Sequence, residues 1–131
     1  LWYFDTEASS VQAEWSQVTV SGAMSRRYFG AVYSSGKMYL FGGQTGIGTL
    51  ANDLGYIDLT MGGSSWWSDI FPTGTLPSAR YKHSTVMNSA LRMWIYGGEA
   101  DTTGTEFLSD LWYIDVEDSS GSWHQVSVSG A

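Results

Sequence analysis

The sequence predicts an all-β fold built from repeated four-stranded units, and three observations carry that prediction. Met38-Tyr39-Leu40-Phe41-Gly42-Gly43 returns as Met93-Trp94-Ile95-Tyr96-Gly97-Gly98, an apolar run stopped by a glycine pair, at a spacing of about 55 residues. The pattern Leu-x-Tyr-x-Asp occurs three times at nearly the same period, at Leu1 to Asp5, Leu54 to Asp58 and Leu111 to Asp115. No stretch shows the 3.6-residue apolar spacing of an amphipathic helix, while Gly, Ser and Thr punctuate the chain roughly every eight to twelve residues.

Taken in order, each Leu-x-Tyr-x-Asp strand is followed by a polar connection, residues 6–14, 59–66 and 116–122. A tryptophan-led segment comes next: Trp15-Ser16-Gln17-Val18, Trp67-Ser68-Asp69-Ile70 and Trp123-His124-Gln125-Val126. Apolar ends around a polar centre fit an outer strand anchored by its indole. Ser21-Gly22-Ala23, Thr73-Gly74-Thr75 and Ser129-Gly130-Ala131 then supply turn chemistry. Arginine-led strands begin at Arg27 and Arg80, and hairpin turns at 34–37 and 88–92 return the chain into the glycine-ended strands. Four apolar residues in a row before each glycine pair indicate a strand buried on both faces. The cycle divides the chain into a half-unit at 1–23 and full units at 24–75 and 76–131.

Composition narrows the function classes. The chain has 131 residues, 43% of them hydrophobic, which is ample for an ordered core. Its formal charge of −7 argues against a phosphate-binding surface, so neither nucleic acid nor an anionic membrane is an expected partner. No apolar run approaches the length of a membrane helix, and no membrane insertion is expected. The absence of cysteine removes disulfides, thiolate metal sites and cysteine nucleophiles, and suits a reducing, cytoplasmic setting. The start at Leu1, in mid-pattern and without Met, leads us to expect an excised piece of a longer chain or a missing leader.

The hydrophobic run into Gly-Gly, then a Tyr, then a Trp, phased over three copies and nearly the whole chain, resembles the kelch repeat. The resemblance implies a β-propeller in which each repeat forms one blade of four antiparallel strands. Blades lie face to face, which accounts for central strands that are apolar on both sides. Propellers close with roughly four to eight blades. About two and a half are present here, so we expect an incomplete ring that is completed by further blades or by self-association.

Residues repeated at one place in every unit are scaffold, so departures from the repeat are the better functional candidates. Asp5, Asp58 and Asp115 are expected to cap turns, and Asp53 and Asp110 to shape the start of a strand. Trp15, Trp67 and Trp123, with Tyr3, Tyr56 and Tyr113, are expected to pack between blades. Gly55 stands where the other copies carry Trp2 and Trp112, and the additional Trp66 is expected to compensate. His83 and His124 show no HxH or HExxH spacing, and no P-loop, Rossmann or nucleophile-elbow pattern is present. No metal, cofactor or catalytic residue is therefore expected.

The resemblance does assign a binding set. Arg27 and Arg80 match the arginines that kelch propellers carry ahead of a blade's first strand, which in some of them line a pocket for an acidic peptide. A guanidinium fork suits a carboxylate. Tyr28 and Tyr81 are the adjacent aromatics, and His83 stands where kelch repeats often show Arg-x-x-His. The alternative for the arginines is an internal ion pair with a loop Asp or Glu. The loops from Gln44 to Asn52 and Glu99 to Ser109 differ between copies and are the expected binding surface; the second is acidic but lacks the spacing of a calcium loop and reads as a solvated surface. The expected function is a non-enzymatic module that binds a protein partner. A carbohydrate-active or galactose-oxidase-like propeller fragment and a structural repeat assembling through open blade faces are the alternatives.

Overall fold

A computed structural model describes residues 1–4, 15–61, 63–118, 121–127 and 129, and every regular element in it is a strand. In chain order these are β1 (Trp2–Phe4), β2 (Trp15–Gln17), β3 (Thr19–Ser21), β4 (Gly30–Ser34), β5 (Lys37–Gly46) and β6 (Thr49–Asp58). There follow β7 (Ser64–Ile70), β8 (Ser84–Met87), β9 (Arg92–Tyr96), β10 (Leu111–Asp115) and β11 (His124–Val126). β4 to β7 and β8 to β11 form antiparallel four-stranded meanders, here called the middle and last blades. β1 pairs antiparallel with β2, from Trp2 opposite Gln17 to Phe4 opposite Trp15, as a separate two-stranded sheet. No ring closes among the described residues. Asp5 and the 6–14 connection lie outside the described residues, as do Gly130 and Ala131 of the last expected turn.

One core unites the two complete blades. Tyr39, Phe41 and Leu54 of the middle blade join Met93, Ile95, Trp112, Ile114 and Trp123 of the last, with Phe41 and Trp123 edge to face at 5.0 Å. Alternation places Trp94 and Tyr113 on the other side of the last blade, their rings 4.7 Å apart. The central strands are thus apolar on both sides, as their composition requires. Each fully buried side chain of this size contributes about 1.5–3 kcal/mol.

Three local features differ from the sequence expectation. Gln44 to Asn52 is a continuation of the β5–β6 hairpin rather than a loop: pairing runs on from Gly43 opposite Ala51 to Gly46 opposite Thr49. Two register shifts let β5 turn past its glycine pair, whereas β9 ends at Tyr96. Second, Trp67 and not Trp66 answers the missing ring at Gly55. A Cβ there would lie 2.2 Å from the Trp67 ring, while Trp66 is 70% exposed. Third, β3 runs parallel beside β7, from Thr19 opposite Ser64 to Ser21 opposite Trp66. Thr73 makes the corresponding parallel bridge to Ser122. The chain leaving each outermost strand therefore covers the outer edge of the next blade, satisfying backbone groups that would otherwise form an open edge.

The glycine pairs owe their identity to close approach as well as to turning. Gly43 and Gly98 have φ of 94° and 96°. A Cβ on Gly43 would sit 2.8 Å from Phe29 Cβ, and one on Gly98 would sit 2.7 Å from the Tyr81 carbonyl. The arginine-led segments cross the sheet at these points, and only a bare backbone lets them do so. Gly98→Ala is expected to lower unfolding free energy by at least about 2 kcal/mol in urea titration. Gly48→Ala, at φ 74° with nothing within 4 Å of the new methyl, is expected to cost only about 1 kcal/mol. Equal losses would refute the role of close approach.

Candidate partner-binding rim

Arg80 is wholly buried and its charge is spent inside the fold. Its terminal nitrogens donate to Asp110 Oδ1 at 2.6 Å and Oδ2 at 2.8 Å, and one also donates to the Gly97 carbonyl at 3.0 Å. Nε and the second terminal nitrogen reach the Ser78 carbonyl and hydroxyl, each at 3.1 Å. Trp112 Nε1 donates to Asp110 Oδ2 at 2.6 Å and holds the carboxylate in place. Burial pushes the Asp110 carboxyl up, but hydrogen bonds from Arg80 and Trp112 and the Arg80 charge outweigh it and hold the group below its usual range.

The residue that repeats this geometry is Arg26, not Arg27. Arg26 donates to Asp53 at 2.8 and 2.7 Å and to the Gly42 carbonyl at 3.1 Å, with its side chain 5% exposed. Its guanidinium lies 4.8 Å from the Trp67 ring centroid, so the indole that fills the Gly55 gap also backs the arginine. Arg27 occupies the position of Tyr81: their backbones bridge Gln44 and Glu99 respectively. Tyr28 occupies that of Lys82, and the two share a positive φ of 56° and 57°. Asp53 and Asp110 are thus the carboxylates of two buried ion pairs, rather than residues that merely shape a strand start.

What remains open to solvent is a cluster contributed by both blades. Arg27 is exposed, bonds Gln44 Oε1 through Nε at 2.9 Å, and stacks 5.3 Å from the Tyr28 ring. Tyr28 is half exposed and meets Tyr81 edge to face at 5.9 Å. Lys82 lies 4.6 Å from the Tyr81 ring and donates to Glu99 Oε1 at 2.9 Å. The Tyr81 hydroxyl donates to Glu99 Oε2 at 2.8 Å, and Lys82 and Tyr81 together hold the Glu99 carboxyl below its usual range. Lys82 N donates to the Tyr28 carbonyl at 2.9 Å, so the two left-handed residues are tied across the blade boundary. Beside this cluster a 380 Å³ cavity is lined by Ser25, Arg26, Arg27, Gln44, Thr45, Gly46 and Ile47.

Of the five residues singled out in the sequence, Arg27, Tyr28 and Tyr81 come together, Arg27 and Tyr28 exposed and Tyr81 buried at 5% exposure against Tyr28. Arg80 and His83 are buried at 0% and 8% exposure. Lys82 and Gln44 were not anticipated. Their signal in the sequence is the register through Gly42 and Gly97, which pairs Arg26 with Arg80 once their common partners Asp53 and Asp110 are matched. Asp101 in the acidic loop accepts from the Thr103 and Thr105 hydroxyls and from the Thr105 and Glu106 backbone, which hold its carboxyl well below the usual range. Its oxygens are engaged in a turn. Among the described residues, no three His, Cys, Asp or Glu side chains converge as metal ligands, and no helix is long and apolar enough to cross a membrane.

His83 packs edge to face on Phe41 at 5.5 Å, and among the described residues neither ring nitrogen has a hydrogen-bond partner. Burial, with the nearby Arg80 charge, pulls its pKa down to about 4 from 6.5. The unfolded chain therefore binds the proton first, and stability falls as pH drops from about 6.5 to about 4. The loss amounts to about 3 kcal/mol. His83→Phe, which installs the residue found at the matching position Phe29, should flatten that part of the pH–stability curve. Asp110→Asn should cost about 3 kcal/mol by stranding Arg80, against under about 0.5 kcal/mol for Arg27→Ala. Chemical denaturation at pH 7 tests both, and equal losses would place Arg27 in the scaffold.

No curated protein shows a significant match to the chain. The model of the KLHDC2/KLHL20/DRC7 Kelch-repeats domain, in contrast, matches residues 1–131, the whole length. With two four-stranded blades, phased glycine pairs and an arginine–aspartate pair repeated in each, the chain belongs to the kelch-repeat family.

Proposed function

We propose that this kelch domain is a non-catalytic module that captures a protein partner through the rim formed by the exposed Arg27, Tyr28 and Lys82, backed by the buried Tyr81. Kelch domains commonly mediate protein binding, and the proposal assigns that task to a particular surface. The observation that carries it is the contrast between neighbouring cations: Arg26 and Arg80 are buried on aspartates, while Arg27 stands exposed beside Tyr28 with no ion pair among the described residues and Lys82, paired with Glu99, stands exposed beside Tyr81.

The chemistry of that surface favours an acidic peptide. Among the described residues, the terminal nitrogens of Arg27 bond no acceptor, and they are free to grip a carboxylate with two parallel hydrogen bonds. Tyr28 offers a flat apolar surface next to the charge, the combination enriched in binding hot spots. Ile47, fully exposed at the tip of the β5–β6 hairpin, supplies an apolar contact at the edge of the adjoining cavity. On a chain of net charge −7, a locally cationic rim also steers an acidic ligand to one place.

Selection of a random peptide library on the domain is expected to enrich Asp and Glu. Combined Arg27→Ala and Lys82→Ala substitutions should weaken the selected peptides at least about tenfold. Arg92→Ala, at the far end of the last blade, should leave them unchanged. Retained affinity in the double variant would exclude this rim.

A further inference from the structure

A second cavity, of about 500 Å³, opens between the middle and last blades, away from the rim. Its walls include Lys37, Tyr39, Tyr56, Ile70, Phe71 and Glu117. Tyr39 is 1% exposed, and among the described residues its hydroxyl has no hydrogen-bond partner. Burial, followed by the Glu117 and Tyr56 charges, pushes its pKa up, so the group stays a neutral hydroxyl able to donate and to accept.

The other polar groups are also underused. Lys37 rests its ammonium 4.7 Å from the Tyr56 ring and forms no ion pair among the described residues, leaving N–H donors available. Glu117 accepts from Ser35 Oγ through one oxygen at 2.8 Å, which leaves the other. The lysine–tyrosine stack is scaffold, since Arg92 repeats it on Tyr113 at 5.0 Å. Phe71 is not scaffold. The matching positions carry Thr19 and Ser127, yet here a phenyl ring stands 79% exposed at the mouth.

These features select a ligand class. A bare cation would meet Lys37, and a bare anion would meet Glu117, with Asp69 also at the mouth. A neutral ligand bearing several hydroxyls satisfies both, because each hydroxyl donates to an acceptor and accepts from a donor. An exposed ring beside such a set offers a platform for the C–H face of a sugar. We propose that this interblade cavity binds a neutral pyranose ring, with Tyr39, Lys37 and Glu117 engaging its hydroxyls and Phe71 its apolar face. The volume lies within the range of small-molecule pockets. The proposal is independent of the rim assigned above.

Saturation-transfer NMR with the methyl pyranosides of glucose, galactose and mannose, and with short oligosaccharides ending in each, tests it on the whole chain. At least one sugar should bind with a Kd of about 1–10 mM. A gain for the oligosaccharide identifies a glycan, and equal affinity identifies a free sugar; either supports the site. Tyr39→Phe, which removes only the hydroxyl, and Phe71→Ser, which restores the repeat residue on an exposed position, should each weaken binding about fivefold. Arg27→Ala should not. The proposal is overturned if no pyranoside saturates below about 50 mM, if both variants bind as the parent does, or if N-acetyl-arginine methylamide is taken up while sugars are not.

Discussion

The buried pair of Arg80 and Asp110 joins the two complete blades, and much of the remaining architecture can be derived from it. The Arg80 side chain belongs to the last blade, bonded to Asp110 and the Gly97 carbonyl. Its backbone belongs to the middle blade: its amide donates to the Ala51 carbonyl at 3.1 Å, and its carbonyl accepts from Gly43 N at 2.8 Å. A single residue therefore links both sheets through groups that are each costly to leave unpaired. Apolar packing of Phe41 against Trp123 is strong but non-directional; the arginine sets the angle and register at which that packing occurs.

This link explains why the glycine pairs cannot be anything else. For Gly43 to donate to the Arg80 carbonyl, the incoming segment must pass almost in contact with the sheet, and side chains on Gly42 or Gly43 would collide with it. The same crossing forces Tyr28 and Lys82 into left-handed backbone geometry, a strained choice for residues with a Cβ. Strain at these positions turns their side chains outward, directly beside the buried arginines. The exposed cluster is thus a geometric by-product of how blades are joined, and it recurs at each junction with whatever chemistry the sequence places there.

The parts legible in the sequence were those that repeat with strong patterning. Strand order, both-face burial of β5 and the scaffold role of Trp123 followed from apolar runs and phase, whereas β9 is buried on its Met93 and Ile95 face and leaves Tyr96 44% exposed on the other. The register of the arginine-led strand did not, because Arg26 and Arg27 are adjacent and a period near 55 residues tolerates a slip of one. Burial resolves what composition cannot: only one of two neighbouring arginines finds an aspartate. Gly55 and Trp67 were obscured for a similar reason, since the indole that fills the gap is the ordinary repeat tryptophan, with the spare Trp66 left on the surface. β3 was hidden because a parallel edge strand of Thr-Val-Ser carries no pattern distinct from turn residues.

Repetition in the backbone therefore separates from repetition in the side chains. Arg27 and Tyr81, Tyr28 and Lys82, and Phe29 and His83 share conformation and neighbours but not chemistry. A position that is geometrically obligatory and chemically variable contributes little to specifying the fold beyond its backbone. It is correspondingly free to specify a ligand. Arg26 and Arg80 show the converse: identical residues, identical partners, and no surface left to offer. By that criterion the two binding surfaces we propose lie beyond the buried arginines and in the interblade wall where Phe71 replaces a hydroxyl residue. The repeated arginine–aspartate pairs fix the blade junctions on which both proposed surfaces stand.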